Sequence, residues 1–286
     1  GSFAYSDPQG YYTMTAILSG TYRLHFQPNT YPVQYLSEYY NDASAIDAAQ
    51  DIVLTSTQGV SNINAQLALG GMITGRVTDK NGNPVSGLVI RPYQKLTVPF
   101  WEPYWAIVRG ENGANMAFYV DGSGYYTVSG LFSGTYRLGV EGGNIMPEFY
   151  KDSTTVNAAT DITVTVRQTV PNINFQVGSL GKISGRVTDK QGNPIDKISV
   201  RANQWLADIS GGMWSTLTFE AMTDSSGMDT ITNLPAGQFR IYFLEFEYDI
   251  PFRGFESEYY DDSLTAEGAL SITVNADDVI QGIDAQ

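Results

Sequence analysis

The sequence has no cysteine and a single histidine, His25, and these absences exclude several kinds of chemistry. A chain without cysteine forms no disulfide bond, carries no thiol nucleophile and offers no thiolate to a metal ion. Long apolar runs are also absent, since none comes near the ~18 residues that span a bilayer. We therefore expect no membrane insertion in this segment.

Basic residues are scarce, because 16 Lys and Arg stand against 30 Asp and Glu and give a formal net charge of −14. Such a surface repels the phosphate backbone of nucleic acids and the surface of an anionic membrane. The charge therefore argues against nucleic acid as a partner. It suits solubility outside a cell, and it would also suit divalent cations.

Tyrosine and glycine are what the sequence has in abundance. It holds 19 Tyr, 29 Gly and 12 Pro, and 42% of its residues are apolar. Aromatic residues favour β-strands, whereas Gly and Pro favour the turns between them. The composition predicts a globular protein of many short strands, long enough for two or three domains.

An internal repeat is the clearest pattern in the sequence. The segment GMITGRVTDKNGNPVSGLVIRPY begins at Gly71, and GKISGRVTDKQGNPIDKISVRAN begins 110 residues later at Gly181. A second segment, which contains an acidic tyrosine motif, occurs three times, with its glutamate at Glu38, Glu148 and Glu258. Equal spacing of this kind is typical of tandem modules.

The repeat predicts three modules, and the first of them is partial. We expect module 1 at residues 1–69, module 2 at 70–179 and module 3 at 180–286. Module 1 lacks the GRVTD segment and hence the first strands of the unit. A sandwich without those strands leaves edges unpaired. We attribute their absence to a sequence cut from a longer protein rather than to a second chain that supplies them.

The pattern within one module predicts about seven short antiparallel strands. Apolar and polar residues alternate over 72–78, and an Asp, Asn and Gly turn follows at 79–84. We expect a long connection over 94–116 and a single helical turn at 157–160. Seven strands in about 100 residues are typical of an Ig-like β-sandwich. The predicted fold class is all-β, with sandwich modules arranged linearly.

The ordered pattern GRVTD, GNP, YYT and GTYRL resembles the carboxypeptidase regulatory-like domains, which are transthyretin-like β-sandwiches related in shape to the B-type repeats of collagen adhesins. The resemblance covers almost the whole chain. It implies an extracellular location, secreted or at the cell surface, and a non-catalytic accessory or stalk role. The zinc ligands of such carboxypeptidases lie in a separate domain, and this chain has no HxxE pair.

The acidic tyrosine motif is a candidate calcium site, and calcium is the one cofactor that the sequence suggests. Calcium prefers several hard oxygen ligands, often carboxylates clustered on a loop. The alternative is a solvated loop whose aromatic residues anchor it to the sandwich, and Lys151 inside the second copy favours that alternative. The candidate ligands are Glu38, Asp42, Glu148, Asp152, Glu258 and Asp262.

Aromatic residues outside the repeat form the candidate ligand-binding site. They lie in the variable segments of modules 2 and 3, where the framework does not require them, and exposed aromatic rings suit sugars and protein partners. The alternative is that these segments pack over their own sandwich or between modules. The candidates are Trp101, Tyr104, Trp105, Trp205 and Trp214.

Two other repeated features are interpreted as scaffold. Asp79 and Asp121 stand in Asx–Gly contexts that hairpin turns require for backbone reasons. Tyr22, Tyr136 and Phe239 share one position at a strand start, and the loss of the hydroxyl in Phe239 favours a packing role. Neither set is expected to bind a ligand.

The sequence as a whole predicts a non-catalytic structural or adhesive segment, a stalk or fibre of a surface or secreted protein. Short junctions at 67–71 and 177–181 favour a semi-rigid rod, so that its partners are other modules of the same longer chain. The alternative is a carbohydrate-binding accessory module of a secreted enzyme, with surface glycans or a neighbouring protein subunit as partner. A hydrolase using Glu148 or His25 is least favoured.

Overall fold

The computed structural model describes residues 2–29, 34–55, 59–111, 113–206, 212–245 and 254–286. Strands dominate these residues, and the helices found among them are two single 3-10 turns at Ile46–Ala48 and Val156–Ala158. The all-β prediction is therefore confirmed. The second helical turn begins one residue before the turn expected at 157–160. Neither helical turn is long enough to cross a membrane.

Module 1 contains two small antiparallel sheets in its described part. The strand β1 pairs with β4, and β2 pairs with β3. Both pairs correspond to strands that recur in the second half of the other modules. The strands are β1 (Gly20–Tyr22), β2 (His25–Phe26), β3 (Glu38–Tyr39) and β4 (Ile52–Leu54).

Module 2 consists of two sheets. One has the order β11-β10-β6-β7, with β12 beside β10 and β8 beside β6, and the other has the order β13-β5-β14, with β9 beside β5. The strands are β5 (Gly71–Thr78), β6 (Val89–Leu96), β7 (Tyr104–Ile107), β8 (Phe118–Tyr119), β9 (Tyr125–Leu131), β10 (Gly134–Glu141), β11 (Glu148–Phe149), β12 (Ile162–Val164), β13 (Thr169–Val170) and β14 (Phe175–Gln176).

Module 3 repeats this arrangement with a longer central hairpin. Its sheets have the orders β17-β16-β19-β20, with β21 beside β19, and β18-β15-β22. The strands are β15 (Gly181–Arg186), β16 (Ile198–Leu206), β17 (Met213–Met222), β18 (Met228–Leu234), β19 (Gly237–Glu245), β20 (Glu258–Tyr259), β21 (Ile272–Val274) and β22 (Val279–Ile280).

Most of the buried apolar side chains form two clusters, one over residues 73–177 and one over residues 183–285. Tyr136 and Phe239 lie in these clusters and are at most 1% exposed. The Tyr136 hydroxyl donates to the Phe132 carbonyl oxygen (3.0 Å), so the ring is fixed in the core by its polar end. The packing role predicted for this repeated aromatic position is confirmed in modules 2 and 3, whereas Tyr22 is 38% exposed.

The last strands of each complete module run parallel to its first strand, which is a detail that the antiparallel prediction did not contain. The strands β13 and β14 pair with β5, and β22 pairs with β15. A Cβ atom on Gly75 would overlap the carbonyl oxygen of Ile173, and one on Gly185 would overlap that of Ile283. The glycine of the GRVTD motif is therefore needed because the final segment crosses the first strand in backbone contact.

The long connection expected over 94–116 contains a strand, so the expectation of one unbroken connection was wrong. The strand β6 continues to Leu96, and β7 returns beside it with Lys95 opposite Trp105. The residues of β7 are Tyr-Trp-Ala-Ile, and such a short apolar run shows no alternation that would mark it as a strand. This hairpin, and its counterpart β16–β17, carry the tryptophan residues.

Candidate functional site

The acidic tyrosine motif forms a tight hairpin at the end of β11. The N–H of Phe149 donates to the carbonyl oxygen of Ser153 (2.7 Å), and the N–H of Ser153 donates back (3.0 Å). Between them, Lys151 and Asp152 have φ values of 70° and 58°. Asn and Asp tolerate this left-handed conformation better than most residues, which explains the Asn and Asp at these positions in the other copies without any ligand.

The glutamate that opens the motif is partly buried. In module 2, Glu148 Oε1 is buried without a hydrogen-bond partner, and burial together with the Asp152 charge raises the pKa of Glu148 to about 7. Burial also raises the pKa of Glu258, which accepts the N–H of Gln286 (3.2 Å). Glu38 Oε1 is likewise buried and unpartnered.

A calcium ion requires more oxygen ligands than this arrangement brings together. Glu148 and Asp152 are two carboxylates, and the structure places no group of three or more His, Asp or Glu side chains for a metal ion among its described residues. Tyr150 in the same motif packs against the core, with its ring 6.1 Å from that of Phe175. Calcium binding stays a prediction, and the anchoring of the loop by its aromatic residues has direct contacts in support.

The Asx–Gly sites are turns, as expected. Asp79 Oδ1 accepts the N–H groups of Asn81 (2.8 Å) and Asn83 (2.9 Å). The hydrogen bond from the Asn83 side chain is the largest of several that lower the pKa of Asp79. Asp121 makes the same pair of bonds to the residues that follow it. These carboxylates are therefore engaged by the backbone.

The two tryptophan hairpins present their aromatic residues differently. At the tip of the β6–β7 hairpin, Trp101 is 76% exposed, Tyr104 is 50% exposed and Phe100 is fully exposed. On the β16–β17 hairpin, Trp205 and Trp214 are half-buried and contact each other edge to face, with centroids 5.2 Å apart. Among the five candidate residues, Trp101 and Tyr104 of the first hairpin are the ones with open ring faces.

A repeated stack of arginine on tryptophan covers two of the other candidates, Trp105 and Trp214. The guanidinium carbon of Arg137 lies 4.1 Å from the ring centroid of Trp105, and that of Arg240 lies 4.3 Å from that of Trp214. Both arginines follow the buried aromatic of the repeated strand. The two tryptophans do not align in the repeat, because the two hairpins differ in length. The arginine shared by GTYRL and GQFRI was the signal that could have linked them.

The same arginine also binds a carboxylate in the first two modules. Arg137 Nε donates to Asp161 Oδ1 (2.6 Å), and Arg23 Nε donates to Asp51 Oδ1 (2.7 Å). In module 3, Ser271 takes the place of that aspartate. The Nε atom of Arg240 is buried and has no hydrogen-bond partner. Module 3 therefore keeps the stack on tryptophan but has lost the ion pair.

His25, on which a hydrolase would depend, lies in a cross-strand aromatic pair. It faces Tyr39 in the β2–β3 register, and the two rings stack with centroids 4.4 Å apart. The histidine and Glu148 belong to different modules. Stacking between neighbouring strands explains the position of His25 without a chemical role.

Module 3 contains a buried carboxylate, Asp229, at a position where module 2 has a tyrosine. Asp229 is 4% exposed, its Oδ2 atom has no hydrogen-bond partner, and burial together with the Asp284 charge raises its pKa to about 7. The corresponding residue of module 2 is Tyr126, whose hydroxyl donates to the Ile173 carbonyl oxygen. The two positions face the same glycine of the first strand in each module, Gly185 and Gly75. We infer that Asp229 costs module 3 stability when ionised.

Two backbone hydrogen bonds hold the linker between modules 1 and 2 against module 1. The N–H of Leu36 donates to the carbonyl oxygen of Ala68 (2.8 Å), and the N–H of Gly70 donates to that of Gln34 (2.8 Å). The linker is thus held as a short antiparallel bridge beside the strand that leads into the acidic tyrosine motif. We call this pair of bonds the junction clamp.

The junction clamp recurs between modules 2 and 3, 110 residues later. The N–H of Met146 donates to the carbonyl oxygen of Gly178 (2.8 Å), and the N–H of Leu180 donates to that of Asn144 (3.2 Å). The same backbone pairing, made with different side chains, ties each linker to the module that it leaves. The sequence shows that the linkers are short, but backbone hydrogen bonds cannot be recognised from it.

Side chains strengthen the second junction. Asp277 Oδ1 accepts both the N–H and the hydroxyl of Ser179 (2.8 Å each), and its Oδ2 lies 3.4 Å from Lys80 Nζ. The hydrogen bonds from Ser179 come first among the causes that lower the pKa of Asp277. Lys80 comes from module 2 and Asp277 from module 3. The ion pair therefore crosses the junction.

No protein-family model and no curated protein matches the sequence, so the carboxypeptidase regulatory-like resemblance stays a prediction. Among solved structures, the chain is similar to a streptococcal ancillary pilin at a TM-score of 0.40, with 13% identity over 96% of this chain and 77% of that one. The minor pilin of Streptococcus agalactiae gives a TM-score of 0.38, with 13% identity over 75% of this chain and 95% of that one. A DUF3823 family protein from Bacteroides uniformis gives 0.26, with 10% identity over 72% and 100%. At these scores, the β-sandwich assignment depends on the strand pairing and the cores described above.

Proposed function

We propose that this chain is a non-catalytic segment of an extracellular surface or secreted protein, in which stacked β-sandwich modules form a stalk or a fibre. The acidic surface and the absence of cysteine agree with such a role, although neither identifies it. Its partners would be further modules of the same kind. Spacing and load-bearing need a fixed relation between neighbours, and the clamps favour one because each holds a linker against the module that it leaves.

The observation that carries the proposal is the recurrence of the junction clamp. A flexible string of domains needs no hydrogen bonds between its linker and the preceding domain. Here both linkers make the same two bonds, and the Lys80–Asp277 pair adds a contact across the second junction. Because the same backbone contact recurs with different side chains, we infer that the position of the linker matters rather than the binding of one ligand.

Single-molecule force spectroscopy tests a load-bearing role. A chain pulled from its two ends should break in separate events, each releasing up to about 385 Å, since a 110-residue repeat extends by at most about 3.5 Å per residue. The Lys80→Ala variant serves as a matched control that weakens the junction while leaving both cores intact. Extension without resolved force peaks would contradict the proposal.

Carbohydrate binding is a second candidate function, and the exposed aromatic tip of the β6–β7 hairpin favours it. Trp101 and Tyr104 offer open ring faces, on which sugar rings stack. Trp105 is the internal control because its ring is covered by Arg137. We expect Trp101→Ala to abolish binding on a glycan array at unchanged melting temperature, whereas Trp105→Ala should lower that temperature. Glycan binding that survives Trp101→Ala would exclude this function.

A further inference from the structure

One guanidinium of module 3 has fewer partners than its equivalent in module 2. Arg137 donates from Nε to Asp161 (2.6 Å) and from Nη1 to two carbonyl oxygens in the Val156–Ala158 turn (2.6 and 2.7 Å). Among the described residues, the side chain of Arg240 makes a single long hydrogen bond, from Nη2 to the carbonyl oxygen of Glu267 (3.4 Å). A guanidinium has five N–H donors, so Arg240 keeps donors for a further acceptor.

Two differences between the modules account for these donors. Ser271 stands where module 2 has Asp161, and residues 266–268, which align with the 3-10 turn of module 2, do not form a 3-10 helix. The stack of Arg240 on Trp214 is nevertheless kept, with the guanidinium carbon 4.3 Å from the ring centroid. Module 3 therefore holds the arginine in the same place with fewer acceptors around it.

A buried acceptor lies beside this arginine. Asn203 is the direct cross-strand neighbour of Arg240, and Asn203 Oδ1 and Arg240 Nε are both buried without a hydrogen-bond partner in the described part of the chain. In module 2, the residue opposite Arg137 is Tyr93, whose ring packs against that of Phe149 with centroids 5.4 Å apart. Buried polar groups are nearly always satisfied, so a neighbouring donor and acceptor call for a group that serves both.

Module 2 shows how a carboxylate reaches this arginine position from the solvent. The Asp161 side chain is 54% exposed, yet its Oδ1 atom contacts Nε of Arg137, whose side chain is only 14% exposed. Ser271 is also exposed, and its side chain is smaller than that of aspartate. A carboxylate from outside the chain can therefore approach Arg240 over Ser271, as Asp161 approaches Arg137.

The available groups indicate the chemical class of the ligand. A carboxylate oxygen suits the Arg240 donor, since hydrogen bonds between arginine and carboxylate are among the strong ones. A hydroxyl group on the same ligand can donate to Asn203 Oδ1. Trp214, and Trp205 in edge-to-face contact with it, provide aromatic surface beside the arginine for a sugar ring. The net charge of −14 disfavours a polyanion, so a sugar with one carboxylate fits best.

We propose that Arg240, Asn203 and Trp214 form a binding site for a sugar acid at the end of a glycan. The carboxylate of the sugar accepts from Arg240, and one of its hydroxyl groups donates to Asn203. The site lies on the face of the β17-β16-β19 sheet opposite the core, and it shares no residue with the aromatic tip of the β6–β7 hairpin. It goes beyond the stalk function and does not depend on it.

The test titrates the full chain with sodium glucuronate and follows the indole N–H signals of its four tryptophans by NMR. We expect a saturable shift of the Trp214 signal with a Kd of about 1 mM, which is typical of a ligand held by few bonds. Glucose lacks the carboxylate and acetate lacks the hydroxyl groups. Each should therefore bind at least about tenfold more weakly than glucuronate.

Variants at the position of the lost aspartate make the test specific. Ser271→Asp supplies the carboxylate from within the chain, so it should weaken glucuronate binding at least about tenfold. Ser271→Ala is the matched control, because it leaves the approach open and should bind glucuronate as the unmodified chain does. The reciprocal variant, Asp161→Ser, removes the carboxylate from Arg137 and should make the Trp105 signal respond to glucuronate.

A Trp214 signal that does not move at glucuronate concentrations well above the expected Kd would overturn the proposal. So would equal affinities of the Ser271→Asp and Ser271→Ala chains, since the carboxylate would then have no part in binding. Acetate that binds as tightly as glucuronate would contradict the assignment of a sugar. The force measurements report on modules and junctions, so failure of this site and failure of the stalk function are separate results.

Discussion

Replacing Ser271 by aspartate should stabilise module 3. In module 2, the equivalent aspartate, Asp161, accepts a hydrogen bond from Arg137 Nε at 2.6 Å. In module 3, the corresponding Nε atom of Arg240 is buried and unpartnered, so Ser271→Asp places an acceptor beside an existing donor. The arginine is already held by its stack on Trp214, which limits the side-chain entropy that the new bond has to overcome.

The size of the effect follows from the exposure of the two partners in module 2. The Arg137 side chain is 14% exposed, whereas that of Asp161 is 54% exposed. Hydrogen bonds to charged groups contribute about 1.5–3 kcal/mol, and fully exposed pairs about 0.2–1 kcal/mol. A half-exposed pair should therefore add about 1 kcal/mol, which raises the melting temperature of a 100-residue unit by about 4–8 °C.

Calorimetry and denaturant unfolding followed by tryptophan fluorescence measure this change. Ser271→Asn is the matched control, because it adds similar volume without the charge. Asp161→Ser is the reciprocal variant and should lose about the same free energy from module 2. The gain should fall as the pH is lowered below about 4, because protonation removes the charge that pairs with the arginine. A Ser271→Asp chain no more stable than Ser271→Asn at pH 7 would refute the reasoning.

Three further outcomes are expected. The pKa of Asp229 rises from 3.8 to about 7 on folding, so the folded chain loses stability as the pH increases from about 4 to about 7. This loss is at most about 4 kcal/mol. Asp229→Asn should remove it, which melting curves at pH 5 and pH 8 would show. Gly75→Ala should cost at least about 1–3 kcal/mol in denaturant unfolding because its Cβ overlaps the Ile173 carbonyl oxygen, and a neutral result would show that the crossing is loose. Since Glu148 and Asp152 are only two carboxylates, EDTA should leave the melting temperature unchanged, and a fall would support a calcium site.

The sequence predicted the fold because the repeat and the turn chemistry agree. Asp79 and its neighbours form the expected turn, and the alternation over 72–78 is the buried strand β5. The β6–β7 hairpin was missed, since the Tyr-Trp-Ala-Ile run has no alternation and two prolines precede it. A local pattern of this kind does not separate a short strand from an irregular loop.

The contacts that matter most for function were less predictable. The junction clamp is made by backbone atoms, so no side-chain type marks Gly70 or Leu180 as clamp residues. The stack of Arg137 on Trp105 joins residues from two strands whose separation differs between modules. Asp229 could not be recognised as buried because an aspartate is a residue type that is almost always exposed. All three features depend on pairing between residues that lie far apart in the sequence.

Small-angle X-ray scattering of the unmodified chain tests the central claim, that clamped modules hold each other in line. A compact protein of 286 residues has a radius of gyration of about 19 Å. Modules held end to end should give at least about 25 Å, with a distance distribution skewed towards long distances. A radius near 19 Å with a symmetric distribution would contradict the account.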